Sequence, residues 1–537
     1  MRSPSPSPGR SPRPRRARLA ARSTLAASLA ALASLLVPGG APGAHVGSPE
    51  VLHEGQAGPY PLVVVVRPPE VIPGIAEVDV RVRDGAGGRS VDAVTLVPVP
   101  LVGEGAELAP RPDRAERSAV DPALFTGRLW IMERGGWRVR VHASGRAGAG
   151  DLAVPVAVVA ARGRSMTLWL GLLLAGLVTL LAAALASIVE AAVGEAQVPR
   201  GEPLPERVLP GRLESQARVG ARTRVPAAVA LGCALVGIGL GLTWWRAEAR
   251  FYRSLVYRPL DLGATLSSDR RLVLTIAAAP EPDPSAGRPS VARRRRSPPL
   301  QGVDDLMSDH GHLMHLFMIR LPAADAILHL HPERIGAGSF RQEVPAGPAG
   351  RYRIFADVVH ASGLPETLTT EVELGAGGGP PAGDDATGGP ALGTSVGSDA
   401  PTRPSVLPDG TRVTWAGEET GPLPSRRALE FRFLVTGPDG RPVTDLVPYM
   451  GMAGHAVFLA RDLSVFAHLH PSGSVAMASM AMADPAAMMA MHAVEGTPLA
   501  AEVAFPYGLP HPGPYRIFVQ FRRGATVETA VFDVVAE

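Results

Sequence analysis

The stretch "DHGHLMHLFMIRLPAADAILHLHPE", residues 309–333, carries five histidines and two methionines inside a pattern of two strands joined by a turn. Alternate residues of a strand share a face. His310, His312, Met314 and Met318 are therefore expected along one face, His315 on the other with Leu313 and Phe317, and His329 with His331 on one face of the second strand. Imidazoles at i and i+2 are close enough to chelate one ion, and neutral imidazole with thioether is a ligand set suited to copper. A second stretch, "YMGMAGHAVFLARDLSVFAHLHP", residues 449–471, repeats the theme with Met450, Met452, His455, His468 and His470. Beyond it, "AMASMAMADPAAMMAMHA" crowds Met477, Met480, Met482, Met488, Met489, Met491 and His492 into 16 positions. Thioethers are soft and do not protonate, so they are practical Cu(I) ligands in an oxidising compartment. Copper is the expected cofactor, and these histidines with Met314, Met450, Met452 and the first three methionines of the run are its expected ligands.

A packing role competes with each of these. Methionine is a flexible core filler, and the Ala/Met run fits an amphipathic helix or lid. A His-x-His pair on a strand is structural when each ring bonds a carbonyl or a carboxylate such as Glu333. The composition sharpens the choice: the chain has no Lys and no Asn, all 53 basic residues are Arg, and Ala, Gly and Pro abound. Such a coding bias does not favour Met. His45 and His53 read as structural or surface residues. A leader cut just before His45 would leave an α-amino group and an imidazole able to chelate Cu(II).

The elements that must hold these residues show an internal repeat. "HLFMIRLPAADAILHLHPE" at 315–333 matches "HAVFLARDLSVFAHLHPSG" at 455–473, and "GRYRIFADVV" at 350–359 matches "GPYRIFVQFR" at 513–522. His-Leu-His-Pro recurs intact, so its placement is a property of the unit. Short strand patterns around both copies predict two β-sandwiches, 262–375 and 406–537, the second with a Met-rich insertion of 24 residues between His470 and Tyr515. Residues 376–405, and 279–300 within the first repeat, are rich in Gly, Pro and charge and predict linkers or long loops. Five further strand patterns between residues 45 and 161 predict a third, N-terminal sandwich.

Residues 1–44, with seven Arg, an apolar run and small residues near Ala41, have the plan of a secretory signal. Two runs, 165–189 and 225–245, reach the roughly 20 apolar residues that span a bilayer. Gly237 and Gly241 form a GxxxG pair suited to close helix packing. Six Arg in the connection 190–224 mark it as cytoplasmic. The expected fold is thus mainly β: three extracytoplasmic Ig-like β-sandwich domains, with a two-helix transmembrane hairpin between the first and second.

The pI of about 9.3 does not imply nucleic-acid binding, because beyond the first 44 residues 46 basic face 50 acidic side chains. Catalytic motifs of serine hydrolases, phosphate-binding loops, zinc proteases and dithiol enzymes are absent, and Cys233 has no partner for a disulfide. Asp304, Asp305 and Asp309 beside His310 offer only an undefined carboxylate group, so no enzyme is expected. The segments "GSPEVLHEGQAGPYPLVVVVRPPEVIPGIAEVDVRV", "DHGHLMHLFMIR", "HLHPE" and "YMGMAGHAVFLARDLSVFAHLHP" resemble bacterial membrane-anchored proteins with YtkA-like or FixH-like sandwich domains. They are more loosely similar to periplasmic copper-binding sandwiches of the copper-resistance C type, which place a His at the mature N-terminus where His45 stands here. The signal, the two apolar runs and the Arg-rich connection between them predict a protein of the cytoplasmic (inner) membrane with the N- and C-terminal domains outside. The expected function is copper handling in the cell envelope, by buffering or delivery, with the lipid bilayer and an envelope protein as partners. The alternative is a structural or interaction module that uses sheet edges and binds no metal.

Overall fold

A computed structural model describes residues 50–83, 91–102, 109–162, 166–195, 220–254, 256–278, 301–388, 404–417, 421–486 and 499–537. The expected signal 1–44, His45, most of the loop 190–224, and Met488, Met489, Met491 and His492 lie outside the described residues. The chain divides into two compact units, residues 1–43 with 163–254 and residues 44–162 with 255–537.

In the first unit two helices, Leu168–Glu195 and Gly220–Ser254, pack on one another. Trp169–Val189 is long and apolar enough to cross a membrane by length and composition, and Leu172, Leu173, Leu180 and Ile188 along it are exposed. It is the one such helix among the described residues, so the expected hairpin of two spans is corrected to one candidate span. The run 225–245 is the middle of a 35-residue helix that also takes in Arg222, Arg224, Arg246, Arg250 and Arg253. Nor do Gly237 and Gly241 make a close contact, since a Cβ added at either meets nothing within 4 Å.

The second unit is mainly β and holds three sandwiches, each with its own apolar core. The N-terminal one lays the strands Val51–Ala57, Tyr60–Arg67, Gly74–Val82 and Leu124–Ile131 over Val91–Pro100, Gly135–Gly145 and Gly148–Val158. Along Tyr60–Arg67, Leu62, Val64 and Val66 enter its core. Val63 and Val65 turn outward onto Leu52 and Ala428, joining this sandwich to the last one.

The two C-terminal sandwiches repeat one plan. In the first, Gly350–His360 lies between His315–Arg320 and Pro365–Leu374, and Ile327–Leu330 pairs with His315–Arg320. In the second, Gly513–Arg523 lies between His455–Ala460 and Thr526–Ala536, and Phe466–Leu469 pairs with His455–Ala460. Alternation gives each of these sheets two buried faces. Met314, Leu316, Met318, Leu328 and Leu330 fill the first core, and Ala456, Phe458, Ala467 and Leu469 the second. The opposite faces meet each other: Phe317, Ile319, Ile327 and Phe355 pack against Val457, Leu459, Phe466 and Phe518. At equal spacing along the same faces come His315, His329, His455 and His468, so pleat geometry alone carries four histidines into one interface.

Candidate metal centre

Eight histidine rings converge at this interface, neighbouring centroids lying about 4 to 6 Å apart, as in His312 and His331 at 4.1 Å, His310 and His470 at 4.9 Å, and His315 and His468 at 5.3 Å. His310 and His312 arrive by a different route from the one expected. Residues 309–312 form a tight turn, bridged from Asp309 to His312, with His310 at φ +52° and Gly311 at φ +87°. The turn breaks strand alternation and returns both rings to the side of His315. Met314 stays behind in the apolar core, fully buried, so it is corrected from ligand to core residue.

Within the cluster, two groups bring one nitrogen from each of three rings to within 4.8 Å of one another. The first is His310, His455 and His470; the second is His315, His329 and His331. The outer hydrogen bonds fix where the ring protons are. His315 donates from Nε2 to the Asp309 carbonyl at 3.1 Å, and His329 from Nδ1 to Oε1 of Gln520 at 2.9 Å. Their remaining nitrogens, Nδ1 of His315 and Nε2 of His329, then face each other at 3.2 Å with lone pairs on both sides. His331 points Nδ1 at Asp385, 3.2 Å away, and leaves Nε2 buried without a partner. In the first group His470 donates from Nδ1 to the Val475 carbonyl at 3.0 Å, and its Nε2 faces Nε2 of His310 at 3.2 Å. Both nitrogens of His455 are buried without a partner.

Opposed lone pairs at 3.2 Å repel unless a cation lies near both. A shared proton is a poor cation here, because burial, reinforced by neighbouring rings, holds His315 and His331 at about 3 and His310 at about 4. Burial with the neighbouring imidazoles holds His329, His455 and His468 well below the ordinary histidine range. Neutral rings are the form that binds metal, and two nitrogens each about 2 Å from one ion stand roughly 3.3 Å apart in tetrahedral geometry. His360 shows the contrast. It is fully buried in the first repeat, but Nδ1 meets Asp305 at 2.7 Å and Nε2 meets Glu366 at 2.8 Å. Burial pulls its pKa down, yet the bonds to Glu366 and Asp305 raise it overall. That is a satisfied structural histidine, and the cluster is unlike it.

Several supporting residues escaped the sequence reading. Asp384 and Asp385 fall in the expected linker 376–405, which is corrected: Ala386–Gly388 is a strand on the first repeat, and Asp384 reaches within 3.5 Å of His312. Tyr449 holds its hydroxyl 3.3 Å from Nδ1 of His329. Asp357 and Gln520 occupy one position of the aligned strands "YRIFAD" and "YRIFVQ", and each reaches across the interface, Gln520 to His329 and Asp357 to within 3.5 Å of His468. Polar residues at interface-facing positions of both copies were the signal available for them.

The methionines of the insertion take packing places where described. Met477 and Met480 are buried in the short helix Met477–Ala483, Met482 is half-buried, and the helix start is tied to the cluster by Ala478 N–H donating to Asp309 Oδ1 at 2.7 Å. Met450 is half-buried and Met452 buried, both in a turn like that of 309–312. His53, expected at the surface or in a structural place, is buried, and burial holds it at about 4.

The N-terminal sandwich braces His470. Glu54 N–H donates to Ser472 O at 2.8 Å and Ser474 N–H to Leu52 O at 2.9 Å, around Gly473 at φ +118°. A Cβ there would stand 2.1 Å from Leu52 O. Gly473→Ala is expected to break these bonds at a cost of about 1–3 kcal/mol, the worth of two hydrogen bonds. Amide exchange at Glu54 and Ser474 reads it, and unchanged protection would show that this loop does not hold the two sandwiches together.

Among solved structures, a tetra-tandem repeat from the extending region of a large adhesion protein is 9% identical, covering 87% of this chain and 71% of its own, with a TM-score of 0.14. FdeC, an Escherichia coli adhesin, is 12% identical over 92% of this chain and 99% of its own, with a TM-score of 0.13. Domains 1–6 of the surface layer protein SbsC are 10% identical over 88% and 54%, with a TM-score of 0.12. None of these scores marks a shared fold. No curated protein matches the chain. Residues 281–375 and 405–537, the two histidine-bearing repeats, match a domain of unknown function, DUF8832.

Proposed function

We propose that this chain is a membrane-anchored metal-holding protein of the cell envelope, in which the interface of the tandem sandwiches binds copper through imidazole. The observation that carries the reading is the set of inward lone pairs: six neutral rings in two groups of three, four of them with the other nitrogen turned outward onto a carbonyl, Gln520 or Asp385, and His455 with both nitrogens buried and unpartnered. Imidazole also suits zinc and nickel, and the two methionines of the turn that begins at Tyr449, whose hydroxyl reaches His329, tip the preference to copper. The candidate span Trp169–Val189 supplies the anchor in this reading.

His455→Leu tests it. A ring with two buried, unpartnered nitrogens costs the metal-free protein, so leucine is expected to raise its stability by about 1–3 kcal/mol. The same change is expected to abolish copper retention at the first group after dialysis of the full chain against a competing chelator. Wild-type chain that retains no copper, zinc or nickel above a control sandwich would sink the proposal. The second reading is a docked pair of sandwiches acting as a structural or interaction module, favoured by the cross-interface bond of His329 to Gln520 and of Arg516 to Ala324 O at 2.9 Å. It expects His455→Leu to stabilise and no metal to be retained by either protein.

A further inference from the structure

The two groups are not equivalent, and the repeat explains how. Each sandwich supplies three histidines in matching places, two on strands and one just past a strand end: His315, His329 and His331 from the first, His455, His468 and His470 from the second. The histidine turn of the first repeat crosses the interface, so that His310 joins His455 and His470 of the second. The second repeat has the same turn. Tyr449 and Met452 are bridged as Asp309 and His312 are, Met450 lies at φ +50° against +52° for His310, and Gly451 at φ +78° against +87° for Gly311. Tyr449 of that turn already reaches His329. Donor chemistry differs between the turns: Asp309 of the first is Tyr449 of the second, and the imidazoles of His310 and His312 are replaced by the thioethers of Met450 and Met452.

Resting on the metal-holding reading, we infer that the cluster is two unlike metal sites, each closed by a turn donated from the other sandwich. His310 completes an all-imidazole site on the second repeat, and Met450 completes an imidazole–thioether site on the first. Hard and borderline divalent ions gain nothing from a thioether, whereas Cu(I) does. The sites therefore differ in preference: both hold Zn(II) through three imidazoles, while Cu(I) is favoured by the site of His315, His329, His331 and Met450 over that of His310, His455 and His470. Because each site draws ligands from both sandwiches, loading either one fastens the interface.

The full chain is titrated with Zn(II) and, under reducing conditions, with Cu(I), and the copper-loaded protein is studied by X-ray absorption. Two ions per chain are expected, with a sulfur neighbour on copper. His310→Gly, which keeps the left-handed turn open to its residue, is expected to lose one Zn(II) and keep the sulfur signal. Met450→Leu is expected to keep two Zn(II), lose the sulfur signal and weaken one Cu(I) by about tenfold or more. A single ion per chain, or a sulfur signal and Cu(I) affinity unmoved by Met450→Leu, would overturn the two-site inference while leaving a metal-holding cluster. Absence of any uptake would overturn the metal-holding reading itself. Amide exchange of His455–Ala460 in both variants confirms that the sheet carrying the ligands is intact.

Discussion

Lowering the pH from 7 to 5 is expected to cost the metal-free protein several kcal/mol of stability, centred on the interface of the two C-terminal sandwiches. The sign follows from the direction of the shifts. A histidine whose native pKa lies below its unfolded value near 6.5 takes up its proton only when the chain unfolds, so its stabilising contribution is complete above 6.5 and is lost as pH falls toward the native value. His315 and His331 at about 3 and His310 at about 4 each lose about 2 kcal/mol between those limits by pH 5. His329, His455, His468 and His470 are shifted the same way. Two carboxyls oppose them. Burial raises Asp357 to about 7 and Asp385 to about 6, so each binds a proton in the native state that the unfolded chain releases above pH 4, and acidification favours the native form there. Seven histidines outweigh two carboxyls, one of them, Asp357, with its side chain partly exposed. Denaturant unfolding at pH 7, 6 and 5 measures the slope. Saturating metal is expected to move the loss to lower pH, because bound rings cannot take protons. A flat profile would mean that the native rings are already solvated.

Much of this site was legible before any coordinates. The recurrence of His-Leu-His-Pro located four histidines, and period-two alternation in "HLFMIR" and "HAVFLA" gave strands with two different faces. Which face was core could not be read, because both are apolar: Leu316 and Met318 look no more interior than Phe317 and Ile319 until a second sandwich is seen to cover the latter. The same ambiguity misled the reading of Met314. The Asp309–His312 turn was hidden because a left-handed histidine followed by glycine interrupts alternation without a strong breaker such as proline. Asp384 and Asp385 sat in a segment whose composition has the signature of a linker, and the strand pairing of Ala386–Gly388 that brings them to the cluster, where they meet His312 and His331, leaves no mark in that composition. The second apolar run misled for a related reason. Composition alone does not say how far a helix extends into the arginines at both its ends.

Phe355→Ala is expected to part the two sandwiches without melting either. Phe355 stacks on Phe466 with ring centroids 4.3 Å apart and planes 5° from parallel, and both are buried. It contributes to the shared apolar cluster and not to the inner core of its own sandwich, which is filled by Ile354, Ala356 and Val358 on the other face of the same strand. The loss of a buried phenylalanine, about 3–5 kcal/mol, therefore falls on docking. The apolar cluster runs into the histidines directly, since Phe317 stacks on His329 at 4.1 Å. Once the faces separate, His310 leaves His455 and His470, and Gln520 leaves His329. Chemical modification of the buried imidazoles is expected to accelerate and metal retention to fall, while fluorescence from Trp415, inside the second sandwich core, stays unchanged. Loss of the Trp415 signal together with exposure of the rings would show instead that the repeats fold as one cooperative body, in which the interface is as indispensable as either core.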